Sequence, residues 1–262
     1  MRHSLLAGGK RIRPLLTIQV ATDLGAPASA ALDPACAIEM VHTASLILDD
    51  LPCMDDAALR RGEPANHRVF GEDTAILAAT ALLNRAFGVI ADCEHLAAST
   101  RLDLTRLVSE AVGSNGIIAG QFRDLQMKQG SASRAGMTEM YAQKTGALFV
   151  AALEAGARVA GVDESWVHAV REYGANLGLA FQLLDDLLDT FASPEDIGKD
   201  VGQDDDRATL ATRLGANDAR LEVTRYVESA ASALEPLGES GVALVELARS
   251  YTQSTMERVV IF

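Results

Sequence analysis

Apolar positions recur at three- and four-residue steps nearly throughout the chain. Ile38, Val41, Ser45 and Leu48 keep that spacing, as do Ile76, Ala79, Leu83, Phe87 and Ile90, and later Val223, Val227, Ala230, Ala231 and Leu234. This period lines one face of a helix. Ala and Leu, both strong helix formers, fill many of the positions. No segment alternates apolar and polar residues over a strand length between hairpin turns. The expected fold class is all-α. Gly and Pro mark the breaks: Leu24–Ala28, Pro52 just past Asp49 and Asp50, Gly62 with Pro64, Gln129–Gly136, the polar stretch Ser193–Arg207, Leu214–Asn217 and Leu237–Gly241. One apolar helix is expected over Ala35–Leu48, ending at the two aspartates. None of the breaks resembles an interdomain linker. A single helical domain packed around a central space is the economical reading.

Composition narrows the function. With 262 residues the chain can bury a sizeable core. A net charge of −13 speaks against sequence-independent nucleic-acid binding, which needs a basic field. The longest stretches free of Asp, Glu, Lys and Arg, Ala111–Phe122 and Tyr173–Leu184, are 12 residues long. A bilayer span needs about 20 apolar residues, so no integral membrane segment is expected. Cys36, Cys53 and Cys93 are odd in number and lack CxxC spacing. That argues against a disulfide framework or a zinc site and for the reducing cytoplasm.

Two acidic clusters break the helical pattern. In LILDDLPCMDD, an apolar helix runs into Asp49 and Asp50, and Asp55 follows. Carboxylates at a helix C-terminus oppose the helix dipole, so a cation is expected there. Mg²⁺ fits, since it takes one or two carboxylates and completes its shell with water and phosphate oxygens. A lone pair of aspartates is more often a solvated turn. However, FQLLDDLLD adds Asp185, Asp186 and Asp189 on a second apolar helix, with Asp185 and Asp189 one turn apart. Two such anomalies read as facing walls of one metal site that could hold a pyrophosphate. Basic groups recur nearby in sequence: Lys10 and Arg13 in GGKRIRP, Arg60 and Arg61, Lys144 before Thr145, and Lys199 and Arg207. Each alone could be surface charge. With the aspartates they suggest two anion sites, one built with metal and one from basic groups alone.

GGKRIRP, MVHTASLILDDLPCMDDAALRRG, GQFRDL, KTGALF and GLAFQLLDDLLD occur in that order from Gly8 onward. In this they resemble the trans-isoprenyl diphosphate synthases, most closely the bacterial geranylgeranyl diphosphate synthases of the carotenoid pathway. The resemblance implies an antiparallel helical bundle around a deep cavity, a homodimer, and one polyprenyl synthetase domain over 1–262. Relatives carry further helices before GGKRIRP, so those are expected to be missing or shortened. The implied reaction joins an allylic diphosphate to isopentenyl diphosphate head to tail, with Mg²⁺ (or Mn²⁺ in its place). Carried over position by position, Asp49, Asp50, Asp55, Asp185, Asp186 and Asp189 hold metal. Lys10, Arg13, His42 and Arg61 bind isopentenyl diphosphate. Arg60, Lys144, Thr145, Gln182, Lys199 and Arg207 serve the allylic diphosphate, with Arg60 and Lys144 counted as catalytic.

The chemistry requires such residues. Breaking the allylic C–O bond builds negative charge on pyrophosphate, which divalent metal and Lys/Arg stabilise. An apolar cavity keeps the allylic cation from water. Product length follows from the cavity floor. At about 1.5 Å per residue, Ala44 and Ser45 lie roughly 6–8 Å below Asp49. Both are small, where fifteen-carbon synthases often carry an aromatic at the position of Ala44, so geranylgeranyl diphosphate is expected. Leu77, Leu83 and Phe87 on the following helix could still close the space. Alternatives are a farnesyl diphosphate synthase, a non-catalytic subunit, which would lack an Asp motif, and a class I terpene cyclase, which would lack the basic isopentenyl site.

Overall fold

The computed structural model describes residues 1–127, 133–191 and 209–257. Helices make up almost all of it. A short α1 (Arg2–Leu6) leads into α2 (Ile12–Asp23) and α3 (Ala28–Asp49). A small antiparallel hairpin, β1 (Leu59–Arg60) with β2 (Glu63–Pro64), precedes α4 (Asn66–Phe70). Then come α5 (Glu72–Ala91), α6 (Ala98–Val112), α7 (Ile117–Met127) and α8 (Arg134–Tyr141). A single π-helical turn, Ala142–Gly146, joins α8 to α9 (Ala147–Ala160), and α10 (Glu164–Phe191) follows. The remainder is α11 (Leu210–Leu214), α12 (Ala216–Ala233), a 3₁₀ stretch at Glu235–Gly241 and α13 (Val242–Met256).

The all-α expectation holds, with local differences. The hairpin escapes an alternation test because each strand has two residues. Its turn places Arg61 at φ 56° and Gly62 at φ 81°, the two left-handed residues of a tight hairpin turn. Helix α3 begins seven residues earlier than Ala35 and runs through Pro34. The ring is buried, and packing outweighs the one helical hydrogen bond that proline cannot donate. Of the expected breaks, 128–132 and 192–208 lie outside the described residues. Ser133 caps α8 by accepting from the Gly136 amide at 3.1 Å.

Among the described residues, three apolar clusters fill the bundle. Leu16, Phe149, Leu153, Tyr173, Leu183 and Leu187 belong to the largest, where α10 packs on α9 and α12. Ile38, Ile90, Leu104 and Leu148 join α3, α5, α6 and α9. Ala44, Ile47, Leu51, Ala75, Ala79 and Leu82 close the C-terminal half of α3 against α5. Met40 and Leu83 touch both of the latter clusters. Leu77 is 69% exposed, so it points out of the bundle and cannot close a cavity floor.

By length and composition alone, α3 and α5 are apolar enough to cross a membrane, with mean hydropathy 1.3 and 1.6. Counting only uncharged stretches is therefore too strict a test. Helix α3 nevertheless packs against α2, α5 and α9 and carries the buried Glu39 in an ion pair.

Candidate active site

The site starts where α3 ends. Asp49 accepts a hydrogen bond from Gln121 Nε2 on α7 at 2.5 Å, and Lys144 Nζ lies 3.5 Å from its other oxygen. Lys144 also donates to Asp124 at 2.6 Å. Burial pushes the Asp49 carboxyl above the ordinary carboxylate range, while Lys144 pulls it back. Burial works against the Lys144 charge, but Asp49 and Asp124 outweigh it and raise its pKa. Asp50 turns to a different partner. It is 2% exposed and accepts from Arg60 Nε at 2.7 Å, with Arg60 Nη2 at 2.5 Å. Burial still raises its pKa. Asp55 is half-buried just beyond the helix.

Lys144 and Thr145 sit on the π-helical turn. Such turns widen the backbone by one residue and occur often at functional sites. Here the turn is pressed against α7. A Cβ on Gly120 would stand 2.2 Å from the Lys144 amide nitrogen, so no other residue fits at 120 without moving α7 away. From this turn a chain of contacts crosses to α10. Thr145 Oγ1 donates to Gln182 Oε1 at 2.5 Å, and Gln182 Nε2 donates to Asp186 at 3.1 Å. The Tyr141 hydroxyl donates to the other Asp186 oxygen and accepts from the Leu210 amide at 3.1 Å. Burial and the Asp186 charge hold Tyr141 protonated far above its ordinary pKa. The structure thus links the first acidic motif to the second through Lys144, Thr145 and Gln182. Asp185 and Asp189 lie half-buried on the same helix.

The other basic residues gather beside α3. Arg13 Nη1 lies 3.4 Å from His42 Nε2, and the guanidinium lies 4.4 Å from the Phe149 ring centroid. Lys10 donates to the Tyr251 hydroxyl at 2.8 Å and sits over its ring. That ring stacks on Phe181, and Phe181 leans on Phe149. Arg61 is 3.0 Å from Glu39, which also pairs with Arg11. Burial lowers Arg13 to about 10, with Glu39 opposing. Burial first, then Arg13, Arg61, Arg60 and Arg11, push His42 well below its ordinary range. Lys10, Arg11, Arg13, Arg60 and Arg61 outnumber the acids that face them, Glu39, Asp50 and Asp185, and this excess of positive charge suits an anion. Lys199 and Arg207 lie outside the described residues.

The partners that escape the motif reading include Gln121, Asp124, Tyr141, Glu39 and Tyr251. Gln121 and Asp124 sit at i, i+3 within GQFRDL, and Tyr141 is three residues before Lys144, both helical-face signals. Glu39 is a charge inside an apolar run and three residues before His42. Tyr251 gives no local signal.

Residues 1–217 match the polyprenyl synthetase family. The chain belongs to that family. It is 45% identical over 250 residues to a geranylgeranyl diphosphate synthase of Pantoea ananas, covering 93% of this chain and 80% of that protein. It is 42% identical over 248 residues to a farnesyl diphosphate synthase of Geobacillus stearothermophilus, covering 93% and 84%. Its fold matches a geranyltransferase from Helicobacter pylori, solved with magnesium and isoprenyl diphosphate, at TM-score 0.87 and 30% identity, covering 98% of this chain and 86% of that one. Family and relatives together make the chain a trans-prenyltransferase, and the all-α isoprenyl synthase fold is shown by the structural match.

Proposed function

We propose that this prenyltransferase condenses an allylic diphosphate with isopentenyl diphosphate to give geranylgeranyl diphosphate. The observation that carries the site assignment is the contact chain from Asp49 through Lys144, Thr145 and Gln182 to Asp186, with the Arg13–His42–Arg61 cluster beside it. The two clusters offer oxygen donors only, which suits Mg²⁺, the ion bound in the Helicobacter relative. Asp49, Asp55, Asp185 and Asp189 would hold it. Asp50 and Asp186, both buried and hydrogen-bonded, support this set by fixing Arg60 and the α10 face. When bound, the metal supplies charge neutralisation for the departing pyrophosphate. Mn²⁺ in its place belongs to the same proposal.

The chain's own residues do the rest. Lys144 and Arg60 face the charge that develops on the allylic leaving group, with Thr145 and Gln182 orienting it and Lys199 and Arg207 added from the segment after α10. Lys10, Arg13, His42 and Arg61 hold the isopentenyl diphosphate. Neutral His42 donates without adding charge. The isopentenyl double bond attacks the allylic cation, and the released pyrophosphate accepts the proton lost afterwards. The domain is read as one unit over 1–262, working in the cytoplasm as a homodimer, with the exposed Ile76 and Leu77 of α5 in the contact.

The twenty-carbon product rests on the small residue Ser45 below Asp49, its neighbour Ala44 being packed between α3 and α5. Product chromatography with Mg²⁺, isopentenyl diphosphate and geranyl or farnesyl starter tests it. Twenty-carbon product is expected from both starters. Accumulation of fifteen-carbon product from the geranyl starter, with no use of the farnesyl one, would make the protein a farnesyl diphosphate synthase instead.

A further inference from the structure

A second cluster of metal-ligating groups lies away from the diphosphate site. Asp33 is on α3, sixteen residues before Asp49, about 24 Å along the axis at 1.5 Å per residue. Pro34 has no N–H, so the Ala30 carbonyl cannot receive its helical hydrogen bond from residue 34. His95, in the loop between α5 and α6, fills that gap with Nε2 at 3.2 Å from the Ala30 oxygen. In the tautomer that donates there, Nδ1 carries the lone pair. A backbone carbonyl orienting the second ring nitrogen is the usual support of a ligating histidine. Cys93, two residues earlier, is buried, with Sγ 3.7 Å from an Asp33 carboxylate oxygen and 3.2 Å from the Val89 carbonyl. One ligand atom each from Asp33, Cys93 and His95 lies within 4.8 Å of the other two.

Bonds of about 2.0–2.3 Å to a tetrahedral ion put neighbouring ligand atoms about 3.3–3.8 Å apart. The Cys93–Asp33 separation already matches, and closing the rest takes about 1 Å of movement. Asp33 and His95 are exposed, so an ion can enter from solvent. Asp92 and Glu94 in the same loop add negative charge, against Arg85, which pairs with Asp92, and Arg101, whose guanidinium donates to the Ala91 carbonyl. A set of one sulfur, one nitrogen and one oxygen favours zinc-class ions over magnesium. The aspartate motifs, all oxygen, have the opposite preference.

We propose that Asp33, Cys93 and His95 form a zinc-class divalent metal site that ties the N-terminal half of α3 to the α5–α6 loop. The Cys93 thiol gives its proton to solvent as the metal–sulfur bond forms. Asp33 and neutral His95 each supply a lone pair, water takes the fourth position, and no group is oxidised or reduced. The spacing C-x-H with an aspartate sixty residues earlier has no zinc-motif signature in sequence, and only the fold assembles it.

The test uses the full chain, freed of metal by chelator, in a Cys36→Ser/Cys53→Ser background that removes the two exposed thiols. Titration with Co²⁺ should give one equivalent with a thiolate-to-cobalt charge-transfer band in the near ultraviolet. Oxygen-bound cobalt at the aspartate motifs gives no such band. Cys93→Ser should abolish it. His95→Ala and Asp33→Asn, both at exposed positions and checked for an unchanged circular-dichroism spectrum, should each weaken Co²⁺ binding by about 10-fold or more. Zn²⁺ should displace the band, and at about a hundredfold excess over its Kd should raise Tm by about 5–10 °C. Millimolar Mg²⁺ should do neither. Absence of the band at tens of micromolar Co²⁺, or a band that survives both His95→Ala and Asp33→Asn undiminished, overturns the proposal.

Discussion

Ala44 and Ser45 are adjacent on α3 but face different surroundings, so an aromatic ring at each should have different effects. Ala44 is 2% exposed and packs with Ile47, Leu51, Ala75, Ala79 and Leu82 between α3 and α5. Ser45 is half-buried, its hydroxyl donating to the His42 carbonyl at 2.8 Å. It lies one turn before Asp49 and so shares the face of Asp49 and His42. Phe at 44 must force α3 and α5 apart, and overpacking of a filled core costs about 1–3 kcal/mol. For a chain of this size that is about 2–12 °C in Tm. In the proposed function, Phe at 45 meets the growing product tail instead. The same 1–3 kcal/mol then falls on the twenty-carbon product alone and shifts the ratio of fifteen- to twenty-carbon product by about 5- to 150-fold.

The assay pairs product chromatography with thermal unfolding for both variants and wild type. Ser45→Phe should give mainly farnesyl diphosphate with Tm close to wild type. Ala44→Phe should unfold earlier while keeping longer product. If Ala44→Phe shortens the product without loss of Tm and Ser45→Phe does not, the faces are assigned the wrong way round. If neither changes the product, the tail does not run along α3.

Excess chelator should abolish turnover, and Asp49→Ala and Asp185→Ala should each lower it at least ~100-fold, on the scale of a lost electrostatic stabiliser. Near-normal rates from either variant, with circular dichroism unchanged, would refute the two-wall metal site. Tyr141→Phe removes the donor to Asp186 and leaves the buried Leu210 amide without its acceptor. A cost of about 1–3 kcal/mol and a fall in kcat are expected from unfolding and steady-state measurements, and an unaltered Tm would contradict this geometry. His42 is held neutral, so below about pH 6.5 the unfolded chain takes up a proton that the native chain resists, and this share of stability is lost as pH falls. Asp49 and Asp50 act oppositely: their raised pKa values make the native chain the tighter proton binder, which adds stability as pH falls through those values. Comparing wild type with His42→Gln isolates the histidine. The Tm difference between the two should move against the wild type between about pH 7.5 and pH 5.5, and a constant difference would show that His42 titrates normally.

The helical fold was legible because its period is local: Ile38, Val41 and Ser45 announce a helix without reference to anything else. The aspartate motifs were legible for the opposite reason, since charge at the end of an apolar helix contradicts its surroundings. What pattern could not supply was direction. Asp49 and Asp50 are adjacent and look alike in sequence, yet one meets Gln121 and Lys144 while the other is covered by Arg60. Ala44 and Ser45 separate in the same way once α5 is in place. Helix ends misled where burial overruled propensity, as at Pro34. Cys93 and His95 had no visible partner because Asp33 reaches them only through the packing of α3 on the α5–α6 loop.

Glu39 shows how far the hidden contacts matter to the site. In sequence it is a stray acid in an apolar helix. In the structure its carboxylate joins Arg11 and Arg61, two residues with left-handed backbone at φ 49° and φ 56°. That conformation costs a non-glycine residue about 1–2 kcal/mol. Arg11 opens α2 and carries Lys10 and Arg13 on either side of it; Arg61 turns the hairpin that presents Arg60 to Asp50. One buried carboxylate thus joins the two turns, and with them the basic groups on two separate segments, while the Leu5 and Ala7 carbonyls also accept from Arg11. The motifs bring out the cations because charge stands out in an apolar sequence. Glu39 stands out in no motif, and its place in their arrangement becomes visible only when the two arginines converge on it.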